Sequence, residues 1–346
     1  IGIVSGYCFA GNAALLGCCD VIIATENSNI GMGGPAMIEG GGLGVVSPQE
    51  IGPVDVQKRN GVVDIAVTDE TEAVAAAKKY LSFFQGPVAH WMAADQRLLR
   101  RLIPENRLRV YDIRAIIEML SDTDSVLELR PQFGLGIITA LIRIEGKPFG
   151  LIANNPKHCS GAIQAQDADK AARFLQLCNV HGLPILSLVD TPGFMVGPDI
   201  EAEAQVRHVC RMFMIGSHLR VPFFTVVLRK GYGLGSMAMS AGSFHDSFFT
   251  ASGPSGEFGA MGLEGAVRHA YRKELESIED PILRDATYKR YIEKSYETGK
   301  AINVASYLEI DSVIDPADTR RWVMRGLKSV PQNYKNRENE LFIDTW

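Results

Sequence analysis

Twice in this chain a strand-like segment ends in a glycine-bearing turn and runs directly into a helix of small residues: SGYCFAGNAALLG (Ser5–Gly17) and RKGYGLGSMAMSAG (Arg229–Gly242). At an offset of 225 residues, Gly6, Tyr7, Ala13, Gly17, Thr25 and Gly31 meet Gly231, Tyr232, Ala238, Gly242, Thr250 and Gly256. Both copies go on to an apolar strand, so the pattern points to a duplicated α/β unit. Each junction leaves the first N–H groups of its helix without an intrahelical acceptor and attracts negative charge. Small side chains there let a ligand approach the backbone, as an oxyanion hole of peptide N–H groups requires. Tight helix–sheet packing asks for the same residue types, but two matched junctions favour two sites on one crevice.

The 346 residues exceed the ~100–200 of one domain. Run lengths and β-branched content predict strands at Ile1–Val4 and Val21–Ala24 around a helix at Ala10–Cys18, then a glycine-dense loop, Ile30–Gly44. TEAVAAAKKYLSFF reads as a helix that closes at Gly86-Pro87. Residues 87–110 are polar, basic and irregular and read as a linker between a first unit, 1–86, and a second, 111–346. The second unit alternates: strands Ile137–Ile144 and Phe149–Ala153 around a Glu145-Gly146 turn, helix Asp167–His181 stopped by Gly182, strand Leu183–Val189, helix Glu201–Leu219, strand Val221–Leu228. That order implies a largely parallel sheet with helices on its faces. Charged helices are expected at Ala266–Glu276 and Pro281–Thr298, and Asp315-Pro316 caps a last helix that runs to about Gly326.

Composition narrows the chemistry. With 35 basic and 40 acidic residues interspersed, there is no electrostatic footprint for nucleic acid. The longest apolar runs fall far short of the ~18 residues that span a bilayer, which argues against a membrane protein and for the cytoplasm. Six cysteines without a CxxC suit reduced thiols, with neither disulfide framework nor zinc site. The opening at Ile1, directly on a strand, suggests a piece of something longer.

Asp190-Thr191-Pro192-Gly193 resembles a GTPase motif, yet no GxxxxGK[ST] accompanies it. It reads as a loop at the carboxyl end of a strand, where α/β folds place ligands. Gly31–Ala36 fits GxGxxA, but Glu26–Asn29 separates it from its strand and Asp55 sits in a Gly-Pro loop, so a cleft-bordering loop is preferred to a dinucleotide site. GxSxG and HExxH are absent, and the seven histidines never take metal-pair spacing. What remains is backbone donors and no obvious side-chain base, a set suited to an enolate or oxyanion whose base comes from elsewhere.

The lines ANNPKHCSGAI (Ala153–Ile163), DKAARFLQLCNVHGLPILSLVDTPGFMVG (Asp169–Gly197), RKGYGLGSMAM (Arg229–Met239), GEFGAMGLEGAV (Gly256–Val267) and IDPADTRR (Ile314–Arg321), with Ser5–Asp20, cover most of the chain. Their wording resembles the carboxyltransferase component of biotin-dependent acyl-CoA carboxylases, a branch of the crotonase-like superfamily. Gly231–Gly235 and Gly256–Gly265 look most like the single-chain carboxylases that also carry biotin carboxylase and biotin carboxyl carrier domains.

The resemblance implies an α/β fold of tandem crotonase-like ββα-superhelix domains, the first incomplete. It implies carboxyl transfer from carboxybiotin on a carrier domain to the α-carbon of an acyl-CoA, through an enolate held in backbone oxyanion holes, with no metal bound by this chain. Biotin carboxylase and carrier domains would be partners, and a homo-oligomer would build its sites at dimer interfaces. By motif, Ala10 and Gly11 match the first hole and Leu234 and Gly235 the second. Ser160, Gly161, Pro192, Gly193 and Phe194 match loops of the cleft. Gly233, Ser236 and Met237 stand where the family's turn reads Gly-Gly-Ala-Tyr and where relatives vary with acyl-chain choice, so a roomier apolar acyl site is expected. Phe9-Ala10 stands where glycine is commoner. A biotin-dependent decarboxylase and a non-catalytic scaffold are the alternatives; a hydratase would need carboxylates at the turn, where Glu26 and Glu39 are the nearby candidates.

Overall fold

The computed structural model describes residues 1–331, 334 and 342–346. The chain opens with β1 (Gly2–Val4), β2 (Tyr7–Phe9), α1 (Gly11–Gly17), β3 (Ile22–Thr25), β4 (Asn29–Gly31), α2 (Pro35–Gly40), α3 (Val54–Gln57), β5 (Ile65–Val67) and α4 (Glu70–Ser82). β1, β3 and β5 form one parallel sheet, and β2 pairs with β4 in a second. Asp69 starts α4 by accepting from the Glu72 N–H at 2.8 Å, and alanines at Ala73 and Ala77 let this helix lie close to β3. The expected loop Ile30–Gly44 is partly ordered: β4 enters it, and Pro35, set in the first turn where its missing N–H costs nothing, nucleates α2.

The second unit runs α5 (Ile113–Leu120), β6 (Leu127–Leu129), β7 (Ile137–Ile144), β8 (Lys147–Asn154), α6 (Ala165–Val180), β9 (Ile185–Thr191), α7 (Pro198–Ala202), α8 (Gln205–His218), β10 (Phe223–Tyr232), α9 (Gly233–Ala238), β11 (Phe249–Ser252), β12 (Glu257–Gly259), α10 (Leu263–Ala270), α11 (Arg272–Ser277), α12 (Pro281–Gly299), α13 (Ala301–Ser306), β13 (Ser312–Val313) and α14 (Thr319–Ser329). Its sheet has the order β13-β11-β10-β9-β8-β7-β6, antiparallel through β6, β7 and β8 and parallel from β8 to β13. β7 and β9 are buried along their whole length, as near-continuous apolar strands covered on both faces should be. The helix expected over Glu201–Leu219 breaks in two. Gln205 is buried and donates to the Ile163 carbonyl at 3.0 Å, and the chain reaches that anchor through a left-handed Ala204 (φ 61°).

The duplication is structural as well as verbal. In the front copy Val4 faces Ala24 and Phe9 faces Gly31; in the back copy Val227 faces Ser252 and Tyr232 faces Gly259. The correspondence is therefore 223 residues before the helix and 228 after it, with five residues inserted between. The sequence offset of 225 lies between these two values. Under the structural offset Ala10 corresponds to Gly233, Gly11 to Leu234, and Gly34 to Gly262, the residues that precede α2 and α10.

The two units share a core in which Val21, Tyr80 and Phe83 join Ile137, Ile152, Phe174 and Leu175. Asp64, buried, accepts from the Arg130 guanidinium at 2.9 Å and from the Ile22 N–H at 2.8 Å. Arg173 donates to the carbonyls of Asp20 and Cys19. Residues 87–110, expected as a linker, form a strap on the second unit: Val88 N–H bonds to the Gly146 carbonyl, Leu99 is buried, and Arg100 Nε pairs with Asp315 at 2.9 Å.

Two measurements check this account. Asp64→Ala leaves the Arg130 charge buried without its partner and is expected to cost about 3–5 kcal/mol in urea unfolding; a cost near zero would mean the ion pair does not join the units. Lys170 is buried with its Nζ 3.3 Å from the Gly134 carbonyl, and burial pushes its ammonium down to about 7. Between that value and the ordinary lysine value near ~10.4 the unfolded chain binds a proton that the folded chain lacks, so stability climbs with pH across this window. The wild type should gain on Lys170→Met between about pH 7 and pH 9 in denaturant titrations; a gap that ignores pH would contradict the assignment.

Candidate active site

The front turn holds Ala10 at φ 52°, ψ −124°, a conformation natural to glycine and strained for alanine. The Ala10 N–H, expected as an oxyanion donor, is instead engaged with the Gly31 carbonyl at 3.2 Å. Gly11 and Asn12 are exposed at the start of α1, and a Cβ on Gly11 would meet nothing within 4 Å. Their N–H groups have no carbonyl one turn earlier to bind. A cleft of about 370 Å³ lies beside this turn, lined by Ser5, Tyr7, Cys8, Asn12 and Leu15 among others.

The back turn begins α9. Gly233 has φ +59°, and a Cβ on it would lie 2.8 Å from the Ala260 carbonyl oxygen. A Cβ on Gly235 would lie 2.7 Å from the Gly193 Cα, so the glycine at 235 is required by the backbone of the 192–194 loop. Leu234 is exposed at the helix start. Ser236 is buried and its hydroxyl donates to the Gly233 carbonyl at 2.8 Å, which ties the turn and leaves the hydroxyl to structure. Met237 is partly exposed and faces a cavity of about 570 Å³.

That cavity is the largest feature at either turn. Gly233, Ser236 and Met237 form its floor, Phe244, Phe258, Leu263 and Val304 its apolar walls, and Tyr271, Lys294 and Thr298 its polar side. The latter residues belong to helices whose charge pattern reads as solvated faces, so no sequence signal marks them as cavity walls. No histidine lines it.

Behind the turn sits Asp190, fully buried at the end of β9. It accepts from the Tyr111 hydroxyl at 2.7 Å and the Lys230 N–H at 3.1 Å, and pairs with the Arg229 guanidinium at 3.1 Å. Burial, with the Asp190 charge next in weight, pushes the Tyr111 phenol up, which keeps it a donor. Lys230 Nζ reaches the Ser160 carbonyl at 2.6 Å, and burial lowers that ammonium against the pull of Asp190. Cys159, Ser160 and Gly161 follow one another at φ 44°, 55° and 86°, and a Cβ on Gly161 would lie 2.3 Å from the Asp190 carbonyl oxygen. Gly161 and Gly193 are therefore buried supports, while Ser160 is exposed and Pro192 and Phe194 are half-buried. Phe194 stacks edge-on to Phe213 and bridges to Ile163, which closes the 160 loop onto the 192–194 loop.

Over residues 1–341 the chain matches the carboxyl transferase domain. It belongs to that family. The carboxyl transferase domain is 32% identical over 338 residues to the methylmalonyl-CoA carboxyltransferase 12S subunit of Propionibacterium freudenreichii subsp. shermanii, covering 95% of this chain and 64% of that one. It is 29% identical to the propionyl-CoA carboxylase beta chain of Roseobacter denitrificans, covering 98% and 68%. Among solved structures it superposes on a single-chain, multi-domain long-chain acyl-CoA carboxylase with TM-score 0.88 and 56% identity, covering 93% of this chain and 32% of that one. It superposes on transcarboxylase 12S, solved as a hexamer with methylmalonyl-CoA bound, with TM-score 0.86 and 30% identity, covering 99% and 67%. The chain thus spans about two thirds of the curated relatives it matches. The fold is crotonase-like, as the resemblance implied. Among the described residues no helix is long and apolar enough to cross a membrane, and no cluster of three or more His, Cys, Asp or Glu side chains gathers with metal-holding geometry.

Relieving the strain at Ala10 returns about 1–3 kcal/mol, and a glycine there loses about 1 kcal/mol of chain entropy. Ala10→Gly should therefore raise the unfolding free energy by about 1 kcal/mol in urea titration; a lower midpoint would show that the turn is not strained.

Proposed function

We propose that this domain moves a carboxyl group from carboxybiotin, presented by a biotin carboxyl carrier domain, to the α-carbon of an acyl-CoA whose acyl chain lodges in the cavity above α9. The observation that carries the proposal is the position of that cavity, which opens from a helix start whose exposed residue is Leu234. N–H groups at Leu234 and Gly235 hold one carbonyl oxygen as it gains charge, and those at Gly11 and Asn12 hold the other. Each such donor is worth roughly 10²–10³ in rate.

Carboxybiotin would supply the carboxyl group and the base for the acyl α-proton, while the N–H groups at Leu234 and Gly235 and at Gly11 and Asn12 would hold the charge that develops on the two carbonyl oxygens. The protein's own part is positioning and charge stabilisation. Among the described residues no hydrogen bond or ion pair joins α1 to α9, which suits a crevice completed between the front unit of one copy and the back unit of another in a homo-oligomer. Biotin carboxylase and carrier domains are the partners, in the cytoplasm. The 56% identity to a long-chain acyl-CoA carboxylase and the apolar walls both favour a long acyl substrate.

The test uses the full-length parent protein with its biotinylated carrier and follows label from bicarbonate into acetyl-, propionyl- and palmitoyl-CoA. Met237→Trp fills the cavity floor without touching the turn, and is expected to lower kcat/KM for palmitoyl-CoA about tenfold or more while acetyl transfer changes less than about threefold. Gly235→Val is a poorer probe, since it collides with Gly193. Label in no acyl-CoA would favour the decarboxylase or the scaffold; equal losses at every chain length would remove the acyl chain from this cavity.

A further inference from the structure

Arg107 lies in the strap, far from the turn in sequence, yet its guanidinium enters the second unit behind the cavity. Nε donates to Glu257 at 3.0 Å, Nη1 donates to Glu264 at 2.6 Å, and the guanidinium carbon lies 5.3 Å from the centroid of the Tyr296 ring. The three partners stand on β12, α10 and α12. Arg107 itself lines none of the cavity, but each partner is next to a residue that does: Glu257 to Phe258, Glu264 to Leu263, and Tyr296 to Ser295.

We infer that Arg107 is a positioning residue that fixes the roof of the cavity, and thereby the acyl-chain lengths it admits; the inference rests on the acyl site proposed above. One planar fork serves two carboxylates on two elements at once, with its donors held in fixed directions. Glu257 is buried and Glu264 is half exposed, so Arg107 is the cation that keeps the buried carboxylate in place. The roof also bears on the turn: the Ala260 carbonyl packs against Gly233, and Gly299 of α12 packs against the Phe258 carbonyl so closely that a Cβ would lie 2.4 Å from its oxygen. Movement of β12 or α12 therefore shifts the cavity walls that Phe258 and Leu263 form.

The experiment takes the full-length parent with its biotinylated carrier and compares wild type, Arg107→Gln, Arg107→Lys and Glu264→Gln. KM and kcat are read for acetyl-, octanoyl- and palmitoyl-CoA, and amide hydrogen exchange is read over residues 257–300 in the same proteins. Arg107→Gln should raise KM for palmitoyl-CoA about tenfold or more, with kcat and KM for acetyl-CoA within about twofold. Arg107→Lys and Glu264→Gln should fall between it and wild type, since each keeps the charge on Glu257 matched. Exchange over 257–300 should quicken while β9 and β10 stay protected. A uniform loss across chain lengths, or unchanged exchange over 257–300, overturns the inference. If wild type carboxylates no acyl-CoA, the proposed function fails and exchange alone decides whether Arg107 holds the roof.

Discussion

The back half is organised around one carboxylate taken out of water. Asp190 is fully buried, and a charge in that position survives only if its lone pairs are filled by donors that cannot drift. The donors come from different places in the chain: Tyr111 just after the strap, and Arg229 and Lys230 at the end of β10. Asn154 accepts from the Asp190 N–H at 3.1 Å and fixes the backbone from the end of β8. Asp190 thus ties three strand ends together, β10 through its carboxylate and β8 through its N–H, and Lys230 carries the constraint to the 160 loop. The position of α9 follows, because the 192–194 loop that leaves Asp190 is the surface against which Gly235 packs.

Duplication gives the molecule two versions of one turn, and their differences are physical. The front turn places alanine in a conformation the back turn gives to glycine, Ala10 against Gly233. The back copy inserts five residues between its helix and the following strand, and after α10, the counterpart of α2, it adds α11 and α12, whereas α2 ends in the glycine run Gly40–Gly42. The back turn therefore opens into a walled cavity and the front turn into an open cleft. The two turns thus share a backbone course and differ in how much enclosed space they border.

Long buried elements were legible in the sequence because their burial is written in them. β7, β9 and α6 carry unbroken or periodic apolar runs, and α5 shows Ile113, Ile116, Ile117 and Leu120 on one face after its Asp112 cap. The three-residue strands β2, β4 and β5 were not legible, since each is defined by the partner it meets and not by its own composition. Nor was the break at Ala204, which is imposed by the anchoring of Gln205. Small residues at the turns, Gly235 among them, signal close approach, but sequence cannot say whether the approaching atom belongs to a ligand or to the protein. Here it belongs to the protein at Gly161 and Gly235, while a Cβ on Gly193 would meet only the Tyr232 carbonyl oxygen at 3.6 Å. Arg107, Glu257 and Lys230 gave no signal, because their importance lies in pairs separated by up to 157 residues.

The division of labour follows from what each kind of group can tolerate. An oxyanion donor supplied by the main chain is indifferent to its own side chain, so in the proposed function Leu234 and Gly11 can vary provided the turn keeps its course. That course is set by atoms that cannot vary cheaply: the Gly233 turn against Ala260, Gly235 against Gly193, and Ser236 hydroxyl on the Gly233 carbonyl. The cavity walls have no such burden. Phe244, Leu263, Met237 and Val304 contribute shape alone, and apolar shape discriminates between chain lengths by only about 1–3 kcal/mol for each methylene gained or lost. On the proposed function, reaction type is held by backbone geometry that tolerates little change, and substrate choice by side chains on walls that β12 joins to the sheet and Arg107 ties to α10 and α12. Change in the second can proceed without disturbing the first.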